Sequence, residues 1–435
     1  MSHRTERLLT VGALARVEGE GALRIRVHDG EVTDVRLDIY EPPRYFEALL
    51  RGRRHTEPPD LTARICGICP VAYQMTACQA VEDACGVRVD GPLAELRRLL
   101  YCGEWIESHT LHIYLLHAPD FLRLPDALAL ARTDPALLAR GLRLKKAGNE
   151  IVETLGGRAI HPVNIRVGGF HRLPERAELD RLARLLEQAR TDAEDTLDWV
   201  AGFDFPDLTI RHELLALSGA DGYAIDSGTP TGTRTGPFPV PEFTDRVREH
   251  QVPHSTALHA TLSGLPHLTG PIARWRLNAV RLPDDIRALA ARAGLEPQCA
   301  NPFRTILIRA VEVLWAVAEA QRIIEQYRRP PAPAVPVPAR AGTGHGATEA
   351  PRGLLYHQYE LDRDGLVRRA VIVPPTAQNQ GAIEADLRAL VRTGLHLDDE
   401  ELTRRCEQAI RNYDPCISCA AHFLTLSVEG RSDGS

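Results

Sequence analysis

Two Cys-x-x-Cys pairs stand at opposite ends of this 435-residue chain. The first is Cys66-Gly67-Ile68-Cys69. The second, Cys416-Ile417-Ser418-Cys419, comes 350 positions later and is followed by His422. Such a turn can aim two thiolates at one soft metal, which suits zinc, copper(I), nickel or iron–sulfur chemistry rather than magnesium or calcium. A zinc ribbon would space its pairs about 15–20 residues apart. These pairs share a site only if the fold brings both ends of the chain together, and long-range closure of that kind points to a buried catalytic centre. The plain alternatives are a zinc knuckle at each pair, or buried reduced cysteines.

Composition adds limits. Hydrophobic residues make up 44% and charged residues 25%, an ordinary globular balance with ample material for a core. The net charge of −6, without a long basic run, argues against nucleic-acid binding. No apolar stretch approaches the ~18–20 residues that span a bilayer, and residues 1–7 lack the apolar core of a secretory signal. An odd count of nine cysteines does not suit a disulfide framework, so a reducing cytoplasm is expected. Cys78, Cys85, Cys102, Cys299 and Cys406 are scattered and read as ordinary core cysteines.

Apolar and polar positions alternate over residues 8–40, and Asp29-Gly30 marks the turn of a β-hairpin. A short helix is expected over 44–51. Pro70, just after the first cysteine pair, suits the first turn of a helix running to Cys85. Spacings of three and four predict further helices over 93–117, 136–155, 176–202, 283–293, 303–327, 382–395 and 399–412. Residues 203–250 read as strands and loops, and 329–346 as a Pro/Ala/Gly surface connector. The expected fold is mainly α with small β additions (α+β): a central long-helix bundle with an N-terminal β-hairpin, in one domain over 1–422.

Several groups are candidates for chemistry. Arg16-Val17-Glu18-Gly19 puts a carboxylate on a tight turn, either an exposed charged turn or a proton relay beside a thiolate. Glu47 is either a surface glutamate or an oxygen ligand for a hard cation. Arg352, between Pro351 and Gly353, sits on a restrained backbone and could hold a small anion. Thr376, after Pro374-Pro375, offers a hydroxyl in what is by default a plain loop. Arg64 and Asp414 lie just before the two cysteine pairs.

Taken in this order, the segments 16–19, 42–47, 64–69, 106–112, 157–170, 350–353, 375–379 and 414–422 resemble the large subunit of nickel–iron hydrogenases over nearly the whole chain. Glu107-Ser108-His109, His161-Pro162-Val163-Asn164 and Ile417-Ser418 look most like the cytoplasmic, NAD(P)-linked bidirectional type (group 3b, the sulfhydrogenase alpha subunit). The resemblance implies heterolytic cleavage and formation of dihydrogen. It implies Cys66 and Cys416 as terminal nickel thiolates, and Cys69 and Cys419 as bridges to an iron carrying carbon monoxide and cyanide. Glu18 would take the proton. Arg352, Pro375 and Thr376 would surround the diatomic ligands, with Asp414 positioning Arg352. Glu47, His422 and the Ile372 carbonyl would bind a magnesium-type ion.

The implied partners are an iron–sulfur small subunit, docked on apolar helical faces, and flavin- and NAD(P)-binding electron-transfer subunits. Maturation chaperones and a protease that removes residues 423–435 are also implied. No direct membrane insertion is expected. Two departures stand out. Tyr73 occupies a position where the family often has a histidine near a bridging sulfur, so that contact is expected to be altered or absent. Ser108 stands where uptake enzymes often have aspartate before the helix histidine. The competing readings are a complex I quinone-site-like subunit, a zinc-binding structural protein, and a hydrogenase-like scaffold without activity.

Overall fold

Asp29 and Gly30 both take positive φ (49° and 79°), which lets a two-residue turn follow the strand twist. This computed structural model describes residues 6–219 and 222–421. The hairpin is part of a three-stranded antiparallel sheet of β1 (Glu6–Val11), β2 (Gly21–His28) and β3 (Glu31–Ile39), in order β1-β2-β3. Leu23, Ile25 and Val27 turn inward from β2 while Arg24 and Arg26 face out. A short helix α1 (Phe46–Leu50) leads toward the first cysteine pair.

The body is helical, as expected. Helix α2 (Pro70–Cys85) starts with Pro70 in its first turn and ends at Gly86, whose positive φ of 70° closes the last turn. Next come α3 (Gly91–Leu111), α4 (Pro135–Gly156), α5 (Arg176–Ala201) and α6 (Thr305–Glu325). Helices α3 and α6 are buried nearly all round, which places them at the centre. Where α3 crosses α4, a side chain on Gly148 would lie 2.5 Å from the Glu107 backbone nitrogen and 2.6 Å from the Gly103 carbonyl oxygen. Only glycine lets the two helices approach this closely.

Three expectations need correction. The helix over 93–117 is not uniform: the α-helix stops at Leu111 and His112–His117 is a π-helix. The wider turn precedes Pro119, whose missing N–H breaks the α pattern. The connector over 329–346 ends sooner, because β6 (Gly342–Ala350) begins within it. Gly342, Gly344 and Gly346 share one face of this strand against α2. A Cβ on Gly344 would lie 2.1 Å from both the Ala80 oxygen and the Ala84 nitrogen. These glycines permit backbone-to-backbone packing and do not make a linker.

Strand β6 pairs with β7 (Gly353–Leu361), which pairs with β8 (Val367–Val373), all antiparallel. The Ala350↔Gly353 register leaves Pro351 and Arg352 at the hairpin tip. The third correction concerns α7 (Pro375–Gly394), predicted only from 382. Pro375 opens it, so Pro375 and Thr376 form a first helical turn and not a loop. Helices α8 (Asp399–Asn412) and α9 (Ile417–Ala420) complete the described chain.

Candidate metal centre

Cys69 caps the N-terminus of α2, and the turn before it aims the Ile68 and Cys69 N–H groups at the Cys66 sulfur (3.3 and 3.4 Å). At the other end, Cys416 precedes the single turn of α9, which places Cys419. Both pairs converge on one point: Cys66 and Cys416 sulfurs are 3.4 Å apart, Cys69 and Cys419 4.0 Å, and Cys416 and Cys419 2.6 Å. Two separate zinc knuckles are thereby excluded.

Closure of the chain ends has visible causes. Arg44 donates to the Ile65 carbonyl (2.8 Å) and to the Ser418 carbonyl, joining the two cysteine segments through one guanidinium. The Arg44 N–H also reaches the Ala421 carbonyl at 3.2 Å. The Ile417 N–H donates to the Glu18 carbonyl at 3.0 Å, so the N-terminal turn pairs with the Cys416 strand. Gly19, at φ 89°, is required here. A Cβ would lie 2.5 Å from the Glu41 carboxylate and 2.7 Å from Ile417 Cβ.

All four sulfurs are buried within 4.8 Å of one another. Hydrogen bonds from Cys416, Cys419 and Cys69 hold the Cys66 thiol well below its ordinary pKa, whereas burial pushes Cys416 and Cys419 up. The cluster thus retains protons that soft cations would displace, because four adjacent thiolate charges need a positive partner away from water. The donor set fits nickel and iron.

Several of the sequence candidates lie around the sulfurs. Thr376 Oγ1 accepts the Cys416 N–H at 3.0 Å, which leaves its own hydrogen free to donate. Arg352 is 2% exposed and donates to the Asp414 carbonyl (2.8 Å) and carboxylate (3.2 Å), while its Nη1 is buried without a partner among the described residues. Neighbouring Asp414, Cys416, Cys69 and Cys66 hold its guanidinium protonated against the effect of burial. Glu18 Oε2 accepts the Ser418 N–H at 3.1 Å, one residue from the sulfur-bearing turn. Pro375 lies buried beside Thr376.

Glu47 and Ile372 form a separate locus. Glu47 Oε1 accepts the Ile372 N–H at 2.7 Å. Burial pushes the Glu47 pKa up to about 8, and burial with the neighbouring Glu47 charge does the same for Glu249. Two neighbouring carboxylates with raised pKa suit a hard divalent cation. His422 lies outside the described residues. Arg64 is not drawn in: it is exposed and meets His161 Nδ1 at 3.1 Å. Among the described residues, Ser108 Oγ is buried without a partner, and Asp414 alone holds Arg352 by its side chain.

Sequence reasoning missed five contributors. Arg44 is the clamp already described. Glu41 Oε1 accepts the Ser418 hydroxyl at 2.6 Å. Glu104 caps α2 through the Val71 and Ala72 N–H groups at 2.6 and 3.1 Å. Glu107 pairs with Lys145 at 2.9 Å and is pushed up to about 7 by burial. Glu249 carried no motif. Tyr73, expected to leave the sulfur contact altered or absent, is 1% exposed, its hydroxyl has no hydrogen-bond partner among the described residues, and burial together with the nearby Cys419, Cys69 and Cys416 pushes its pKa up. A phenol stands there in place of an imidazole, without a hydrogen bond to the sulfurs among the described residues.

The comparisons agree with this geometry. A family model described as nickel-dependent hydrogenase matches residues 44–141 and 307–422. Sulfhydrogenase 1 subunit alpha of Pyrococcus furiosus is 33% identical over 423 residues, covering 96% of this chain and 98% of that one. The NAD-reducing hydrogenase HoxS subunit beta of Cupriavidus necator is 27% identical, covering 96% and 95%. Among solved structures, an NAD+-reducing [NiFe]-hydrogenase in the H2-reduced state superposes with a TM-score of 0.87 at 26% identity, covering 96% of this chain and 99% of that one.

Fold and sulfur cage together define a thiolate-ligated redox metalloenzyme, and the chain belongs to the nickel-dependent hydrogenase family. It is the catalytic large subunit of a nickel–iron hydrogenase, an oxidoreductase acting on dihydrogen. The complex I-like and zinc-structural alternatives fall with that assignment.

Proposed function

We propose that this subunit works in the cytoplasm and exchanges electrons with NAD(P) through an iron–sulfur small subunit and flavin-containing partners. The observation that carries the reading is the convergence of four buried sulfurs from both chain ends, in a chain one-third identical to a sulfhydrogenase alpha subunit. Cys66, Cys69, Cys416 and Cys419 would hold nickel and an iron bearing carbon monoxide and cyanide. When bound, that group supplies heterolytic cleavage and formation of dihydrogen.

The chain's own residues manage charge and protons. Glu18 is the base that takes the proton at its carboxylate. Ser418 stands between two carboxylates, with its N–H on Glu18 and its hydroxyl on Glu41, which supports a proton exit toward Glu41. Arg352, clamped by Asp414, keeps Nη1 available to the diatomic ligands and places a fixed positive charge at low dielectric. Thr376 offers its spare hydrogen to the same ligands, with Pro375 fixing the turn. Glu47 and Glu249, with His422 and the Ile372 carbonyl, would take magnesium.

Electron transfer needs a partner. No helix among the described residues is long and apolar enough to cross a membrane. Exposed Ile160 and Val163, beside the His161 that meets Arg64, support a docking face next to the cysteines for the small subunit. Release of 423–435 by a maturation protease, leaving a single domain over 1–422, belongs to the same reading.

The test is an infrared spectrum of the anaerobically purified complex, with nickel and iron analysis. Sharp carbonyl and cyanide stretches with one nickel and one iron per chain are expected. A metal-loaded complex without such bands overturns the assignment of the iron ligands.

A further inference from the structure

A second cluster of metal-ligating side chains lies between α7 and a neighbouring hairpin. Strands β4 (Val247–His250) and β5 (His259–Leu262) form an antiparallel hairpin, and the loop between them carries His254. His259 opens β5, and Glu384 projects from the middle of α7. The ligand atoms of His254, His259 and Glu384 all lie within 4.8 Å of one another. Glu384 is eight residues beyond Thr376, about 12 Å along the axis at the helical rise per residue. The cluster is therefore distinct from the sulfur cage.

An ordinary explanation covers only part of it. His254 Nε2 and Glu384 Oε1 are 2.8 Å apart, a plain hydrogen-bonded pair. His259 is left over: it is 5% exposed, and its Nε2 is buried with no hydrogen-bond partner among the described residues. Buried polar atoms almost always find a partner, so an unused imidazole nitrogen beside a histidine and a carboxylate is itself an observation in need of one.

We propose that His254, His259 and Glu384 bind a divalent ion of the zinc class at a site separate from the catalytic metals. Two imidazoles and one carboxylate select zinc-like ions over magnesium or calcium. Zinc at ~2.0–2.2 Å from each ligand separates ligand atoms by roughly 3.3 Å, so the 2.8 Å His254–Glu384 hydrogen bond gives way to the ion and the three side chains adjust through their own torsions. Glu384 is already oriented by the Leu37 N–H, which donates to Oε1 at 2.9 Å, the kind of outer contact that holds a metal carboxylate in place. Both of these bonds fall on Oε1, and Oε2 accepts none among the described residues. His254 and Glu384 are each 17% exposed by side chain, which gives an ion a way in and leaves room for water as fourth ligand.

The ion has a structural task to perform. In the same loop Thr256 donates to the Ile39 and Glu41 carbonyls at 2.8 and 2.9 Å. Binding at this site staples the loop to α7 and to the end of β3. It thereby steadies Glu41, whose carboxylate holds Ser418 next to the catalytic base.

The test uses the purified holoenzyme complex, given zinc alone, desalted, and analysed for zinc, nickel and iron with zinc-edge X-ray absorption. One zinc per chain is expected, in a nitrogen/oxygen shell with imidazole scattering and no sulfur. It should be lost in His259→Ala and in Glu384→Gln, with nickel and iron unchanged. His254→Gln, on the partly exposed loop, provides a variant whose folding does not depend on a buried side chain. No retained zinc, a shell containing sulfur, or undiminished zinc in His254→Gln overturns the proposal.

Discussion

Replacing Glu18 by glutamine removes one proton-accepting oxygen while preserving shape. The structure argues that the residue stays in place. Its backbone carbonyl accepts the Ile417 N–H at 3.0 Å and its chain pairs with the Cys416 segment, so main-chain contacts and not the carboxylate set its position. The side-chain bond from the Ser418 N–H, 3.1 Å long, can be kept by the amide oxygen of glutamine. Only the charge assistance of that bond is lost, about 1 kcal/mol of stability. A positioned general base typically contributes 10²–10⁴-fold. Loss of that function corresponds to roughly 2.7–5.5 kcal/mol in the barrier at about 1.36 kcal/mol per decade. The assay is hydrogen uptake by the complex with a dye acceptor, alongside metal analysis and infrared spectra. Glu18→Gln should lose at least about a hundredfold in kcat while retaining its metals and band positions. Activity within about threefold of wild type, at full metal content, would refute the assignment of Glu18 as base and move the role to another carboxylate.

Other perturbations follow from the same geometry. His267 is fully buried, and burial lowers its pKa to about 4. Between pH 6.5 and 4 the unfolded chain binds a proton that the folded one refuses, so stability falls as the pH drops through that window, by about 1.4 kcal/mol per unit; His267→Gln should flatten this part of a pH–denaturation profile, and an unchanged slope would count against it. Gly344→Ala drives a methyl into the backbone of α2, where neither the Ala80 oxygen nor the Ala84 nitrogen can swing away. A loss at or above the upper end of ~1–3 kcal/mol is expected in thermal melts, and an unaltered Tm would disprove the tight packing. Tyr73→Phe removes a buried hydroxyl near Cys419 and Cys69 and should shift the infrared bands with little change in melting temperature; bands identical to wild type would show that the hydroxyl does not act on the sulfurs.

Much of the molecule can be read along the chain. The long helices follow from three-and-four spacing, because a buried helix must repeat its apolar residues at its own period. The N-terminal hairpin follows from alternation plus Asp29-Gly30. Both cysteine pairs, Glu18, Arg352, Thr376 and Asp414 stand in motifs, so each was visible as a candidate. Where local pattern misled, one residue type had two physical uses. Glycines 342, 344 and 346 look like a flexible connector in sequence, yet they are a strand face pressed on α2. Pro374 and Pro375 look like loop prolines, yet Pro375 is the first residue of α7, where its missing N–H costs nothing.

What the sequence by itself determined is the chemistry available: four soft thiolates, a carboxylate on a glycine turn, and an arginine held between proline and glycine. Whether these act together is a property of tertiary structure. Arg44 joins residues 65 and 418, Glu41 reaches Ser418, and the Glu47 charge acts on Glu249, and nothing local in the chain announces these long-range partnerships. Motifs record constraints between neighbours in the chain, such as turn geometry and helical period. Contacts made across hundreds of residues leave no such period, and only the folded packing brings two distant pairs of sulfurs within reach of one metal centre.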